Sequence, residues 1–159
     1  PTKWQPSSTH GYKLNIDAAI LESQQCINSS STGFVLVAVA KKHLSPLNPK
    51  NVEAAALNFG INWATKVFTS LEAVESNVQV VVSTFKNAQC YCSELGCFLK
   101  DVNNLLTTFS DISISYVSRE CNNIAHSLAK LAFRLDDELS WMEEILPPIM
   151  FVVISDCSI

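Results

Sequence analysis

Two short stretches, with acids 36 positions apart, each set a carboxylate into an element that is otherwise built to be buried. In Tyr12-Lys13-Leu14-Asn15-Ile16-Asp17 the side chains alternate. Tyr12, Leu14 and Ile16 fall on one side of a strand and Lys13, Asn15 and Asp17 on the other, the pattern of a half-buried strand. Around Glu53, Val52, Ala56, Phe59 and Trp63 recur at helical spacing, which predicts a helix over about 51–66 with the acid in its first turn. Asn48-Pro49-Lys50-Asn51 supplies the turn and capping chemistry in front of it.

The remaining pattern is that of a mixed α/β chain. The apolar run 34–40 reads as a strand buried on both faces, and 71–76 reads as another. Residues 78–87 are ambiguous, since the β-branched run Val80-Val81-Val82 favours a strand by propensity. Cys92, Leu95, Leu99, Val102, Leu106 and Phe109 repeat at alternating three- and four-residue steps, an amphipathic helix. Ile112, Ile114 and Tyr116 alternate with serines in a strand over 111–118, and Ile124, Leu128, Leu131 and Leu135 mark a last helix entered through Asn122-Asn123. Between residues 19 and 32 only Gln24–Asn28 offers a weak strand.

The stretches around Asp17 and Glu53, with Val74-Glu75-Ser76-Asn77 and Val117-Ser118-Arg119-Glu120-Cys121-Asn122-Asn123-Ile124-Ala125-His126, resemble the ribonuclease H-like domain. The form resembled is the plant, retroelement-derived one that opens on a Trp-x-Pro segment, here Trp4-Gln5-Pro6. The resemblance runs from Trp4 to Asp156. It implies one domain over 1–159 with a lead-in segment at 1–11 and a C-terminal tail at 140–159. It also implies a mixed five-stranded sheet of order 3-2-1-4-5 flanked by helices, and makes 78–87 a helix. Against that frame the second strand is expected to be shortened or lost, with 34–40 shifted toward the vacant place beside the first strand.

In active members of the family four acids hold two divalent cations. The matching positions are Asp17, Glu53, Asn77 and His126, of which Asp17 and Glu53 remain as metal-binding acids. Two hard cations in van der Waals proximity need several carboxylates to offset their repulsion. The neutral amide of Asn77 withdraws one charge, and the imidazole of His126 suits softer metals than magnesium. Glu75 shares the strand face of Asn77 and reads as a polar strand-end residue; Glu120 reads as solvated beside Arg119. The resemblance thus implies Mg²⁺ or Mn²⁺ where any hydrolysis survives. It implies a weak nucleic-acid partner, an RNA–DNA hybrid above all. The alternatives are a catalytically dead protein-interaction module and a decaying retroelement-derived reading frame.

Composition bears on partners. The net charge is −4 with eleven Lys plus Arg against fifteen Asp plus Glu, which argues against tight, non-specific binding to phosphate backbones. Lys41-Lys42 is the one adjacent basic pair, and Arg119 and Lys130 flank the candidate site. The six cysteines lack a standard zinc spacing, Cys90-x-Cys92-x4-Cys97 included, and read as reduced structural thiols. No apolar run approaches a membrane span, and no signal pattern opens the chain. A monomer in the nucleus or cytoplasm, not secreted, is the expectation. His10 and His43 sit in polar segments and receive no role.

Overall fold

The computed structural model describes residues 12–19, 22–29, 35–42, 48–87, 93–109, 112–132, 139–142 and 150. Its backbone is a mixed sheet with helices on both faces. Three antiparallel strands come first: β1 (Tyr12–Ala19), β2 (Glu22–Ser29) and β3 (Val35–Lys42). Helix α1 (Pro49–Val67) then crosses to β4 (Leu71–Ser76), which lies parallel to β1. Helices α2 (Gln79–Asn87) and α3 (Glu94–Leu106) lead to β5 (Ser113–Tyr116), parallel to β4. A 3-10 turn at Arg119–Asn122 enters α4 (Asn123–Ala132), and β6 (Leu139–Met142) pairs antiparallel with β3.

The sheet order is β5-β4-β1-β2-β3-β6. The expected run 3-2-1-4-5 lies within it, but the described residues give six strands, because part of the segment read as a tail adds β6 outside β3. The expectation of a lost second strand is wrong. β2 is eight residues long and pairs with β1 along its whole length and with β3 along nearly all of it. β3 accordingly keeps its outer place. The error came from reading side-chain pattern alone. Glu22-Ser23-Gln24-Gln25-Cys26-Ile27-Asn28-Ser29 lacks apolar alternation, but a segment with a ladder on each side satisfies its backbone groups on both edges, and strand propensity yields to that context. Only two residues separate Ala19 from its register partner Glu22, the shortest common hairpin connection.

Helix α1 starts two residues earlier than its periodicity predicts. The Asn48 side chain accepts from the Asn51 backbone N–H and Pro49 occupies the opening turn, a capping pair that fixes the start. Glu53 therefore lies beyond the first turn, which holds no acid. The helix reading of 78–87 holds: Val81 and Val82 are buried in α2 while Val80 is exposed, so packing overrides β propensity. Gly96, Leu99, Val102 and Leu106 form the buried stripe of α3. The amide Nδ2 of Asn51 donates to Glu94 Oε2, tying α1 to α3.

One core lies on the face of the sheet covered by α1 and α3, where Leu14, Ile16 and Val74 meet Ala56, Leu57, Ile61, Leu99 and Val102. On the other face α4 packs across β1, β2 and β3 and buries Ile124, Ala125, Leu128 and Ala129. β1 is thus covered on both sides, and Lys13, Asn15 and Asp17 are buried, where the alternation alone predicts a half-exposed strand. No described helix is long and apolar enough to cross a membrane. Residues 1–11 and 143–149, with Cys90 and Cys92, lie outside the described residues.

Gln25 pairs with Ile16 on one side and Val39 on the other. Gln25→Pro removes a ladder donor in mid-sheet and is expected to cost about 3 kcal/mol or more, measured by urea denaturation. An unchanged midpoint would mean that this strand is not integral to the sheet.

Candidate functional site

The polar side of β1 is closed by the 3-10 turn and the start of α4, and side-chain hydrogen bonds link them. Lys13 Nζ donates to Glu75 Oε1 at 2.8 Å. Asn15 Nδ2 donates to Glu75 Oε2 at 3.0 Å and to Asn122 Oδ1 at 3.3 Å. Asn122 Nδ2 in turn donates to the Ile16 carbonyl at 2.8 Å and to Asn77 Oδ1 at 3.3 Å. One buried asparagine therefore ties β1, the end of β4 and the entrance to α4 together. The strand register explains the first links, because Asn15 sits opposite Glu75 in the β1–β4 pair.

Asp17 stands at the open end of this row. Its Oδ2 lies 2.7 Å from His126 Nδ1. The Arg119 Nη2 reaches the same ring at 2.9 Å from Nε2 and 3.2 Å from Nδ1. The guanidinium therefore lies against the ring beside both nitrogens, while Nδ1 also faces Asp17. The row reads Asp17, His126, Arg119 from the interior to the surface.

Glu53 comes from α1. One carboxyl interaction is with the Ala18 backbone N–H, while Oε2 is sealed from solvent and has no hydrogen-bond partner. Burial first, and then the nearby Asp17 carboxylate, push its pKa up from 4.5 to about 8, against the opposing effects of the Ala18 bond and the Arg119 charge.

Residues 17, 53, 77 and 126 thus converge at the C-terminal ends of β1 and β4 and the entrance to α4. Asp17 and His126 touch, Glu53 feels Asp17, and Asn77 joins through Asn122. Sequence reasoning missed Asn122, which it read only as a cap. It also missed the destination of Arg119, which donates to His126, while exposed Glu120 is held below its usual range first by its own backbone N–H and then by the Ser118 side chain. The spacing of Arg119 and His126 across the helix entrance, seven residues, was the available signal. Glu75, a strand-end polar residue by sequence, is the anchor for Lys13 and Asn15.

The residues do not fit a pair of divalent cations. Among the described residues no three His, Cys, Asp or Glu side chains are placed to hold one metal ion. Asn77 Oδ1 already accepts a hydrogen bond, and Asp17 Oδ2 is engaged by His126. Among the described residues, Glu53 Oε2 is the one fully buried side-chain oxygen or nitrogen without a hydrogen-bond partner.

Two predictions follow from this geometry. Between pH 4.5 and about 8, native Glu53 holds a proton that the unfolded chain has released. Its contribution is full below the unfolded value, falls as pH rises through that window and levels off above it. Glu53→Gln is expected to flatten this part of the stability profile and to exceed the parent above pH 8 by a few kcal/mol; parallel thermal-melt slopes for the two proteins would contradict it. Glu75→Ala takes the facing carboxylate from both Lys13 and Asn15, an expected loss of about 3 kcal/mol, part of which Lys13→Met/Glu75→Leu recovers. Denaturant titration of the single and double variants measures both.

Three solved structures share the fold. An RNase H1 from the halophilic archaeon Halobacterium salinarum NRC-1 superposes with a TM-score of 0.65 at 19% identity, over 77% of this chain and 96% of its own. The N-terminal RNase H domain of a Mycobacterium tuberculosis protein, solved as a fusion with maltose-binding protein, gives 0.61 at 18%, over 77% and 94%. A compost-derived metagenomic RNase H1, LC11, gives 0.63 at 12%, over 79% and 97%. No curated protein matches the sequence. Residues 22–132 match the reverse transcriptase-like family, a span that starts after the strand carrying Asp17. Sequence and fold agree, and the chain belongs to the reverse transcriptase-like family, as an RNase H-like domain.

Proposed function

We propose that this RNase H-like domain is a weak nucleic-acid-binding module for RNA–DNA hybrids whose two-metal hydrolysis is impaired or lost. The observation that carries the reading is the engagement of the site by its own side chains. His126 occupies Asp17, and the amide of Asn77 is spent on Asn122. In the active family form Asp17 and Glu53 belong to the set that holds Mg²⁺ or Mn²⁺. Here the charge needed to hold two such ions is halved, and the loss of a carboxylate in a partly buried site costs several kcal/mol. Recognition would rest on hybrid shape, through backbone and 2′-hydroxyl contacts, and not on base sequence. The net charge of −4 keeps that contact local and salt-sensitive.

The test is hybrid cleavage in Mg²⁺ and in Mn²⁺ by the parent chain, Asn77→Asp, and Asn77→Asp/His126→Asp. The doubly restored variant is expected to cleave at least about a thousandfold faster than the parent, since each 1.36 kcal/mol of transition-state stabilisation is tenfold in rate. The parent is expected to bind hybrid at low salt and release it as salt rises. Parent cleavage at the restored rate, abolished by Asp17→Asn, would overturn the impairment. Absence of hybrid binding at low salt would favour a protein-interaction module.

A further inference from the structure

A carboxylate that leaves water needs a compensating charge as well as a hydrogen-bond donor. Asp17 is such a group, with its side chain only 3% exposed. In a two-cation site the ions provide that charge. Here the Asp17 oxygen meets His126 Nδ1 at 2.7 Å, so the imidazole ring stands where a cation would. The charge stands one step further out, where the Arg119 Nη2 lies 2.9 Å from the other ring nitrogen.

We propose that the Arg119 guanidinium, relayed through the His126 ring, is a built-in counter-charge to Asp17 that takes the electrostatic place of a divalent cation and keeps one out. The inference rests on the reading of this pocket as a former two-cation site, and adds to it a cause: the site lacks cation affinity because it carries its own cation. Three features support the assignment. The ring is mostly enclosed, with 17% of its side chain exposed, so its contact with Asp17 is little screened, while the Arg119 end of the relay lies at the surface. The Arg119 charge also acts on Glu53, the other acid of the pocket. Both relay residues come from the short connection where the 3-10 turn passes into α4, and Asn122 fixes that connection to Ile16 and Asn77. The ring is therefore held against Asp17 from the backbone side as well.

The experiment measures Mn²⁺ directly, by electron paramagnetic resonance of the free ion and by the shift in melting temperature, on the full chain. The parent is expected to take up no Mn²⁺ and to melt at the same temperature with and without about 1 mM of the ion, the weak end of divalent-cation affinities. Arg119→Gln is expected to melt lower than the parent without metal, and to bind Mn²⁺ with a rise of about 5 °C. His126→Asp, which removes the relay and adds a ligand, is expected to bind more tightly still, and Arg119→Lys is expected to keep most of the exclusion because it keeps the charge. Glu120→Gln, at an exposed neighbour, serves as the control and is expected to match the parent. Arg119 is at the surface, so its replacement leaves the core intact, which far-ultraviolet circular dichroism verifies. Parent chain that binds Mn²⁺ below about 1 mM overturns the proposal, as does Arg119→Gln that neither loses stability nor gains the ion. Neither result depends on hybrid binding, so a parent that excludes Mn²⁺ but ignores hybrid overturns the functional reading alone.

Discussion

A strand in the middle of a sheet, covered by helices on both faces, must find a partner for each polar side chain it carries, because little water reaches them. β1 carries three in a row on one face: Lys13, Asn15 and Asp17. Their partners come from β4, from the 3-10 turn and from α4, so the polar row determines how those three elements assemble. Glu75 takes up the first two residues, Asn122 bridges to the turn, and His126 closes the row at Asp17. An unsatisfied buried polar group costs about 1–3 kcal/mol. The network therefore fixes the register of the α4 side of the sheet, while Leu14 and Ile16 pack into the core on the α1 side.

Much of this architecture is legible in the residues. The alternation of Tyr12–Asp17, the spacing through α1 and the stripe of α3 are strong periodic signals, and each marks its element. The reading of 71–76 as a strand matches the bounds of β4. β2 was not legible, because its identity as a strand lies in its neighbours: eight residues poor in apolar side chains acquire their structure from two flanking ladders. The burial of Lys13 and Asn15 was hidden for the same reason. Alternation shows that two faces differ in polarity but not that the polar one is covered, which depends on a helix more than a hundred residues away.

At the site the sequence showed which positions meet and left open what they do on meeting. Asp17, Glu53, Asn77 and His126 are grouped by motif, but the side chain that organises them, Asn122, resembles any helix cap. Arg119 next to Glu120 suggests a local ion pair, and only coordinates reveal that the guanidinium turns to the ring seven residues on. Loss of acids alone would leave a pocket with fewer charges. The arrangement found is different, since the remaining acid at the centre has acquired donors from its own chain, and a single reversion would meet a pocket already filled.

The lengths of the strands carry one further consequence. The three strands at the heart of the antiparallel half each span eight residues, whereas β5 and β6, which flank the sheet, span four each. A neighbouring molecule that approached the β5 flank would find a four-residue template, short for main-chain pairing. Ser113 and Tyr116 also project into solvent at the β5 margin, and Ser140 does so at the β6 margin. At the β5 margin the described ladder is thus short, and growth of the sheet from that side is blunted by geometry.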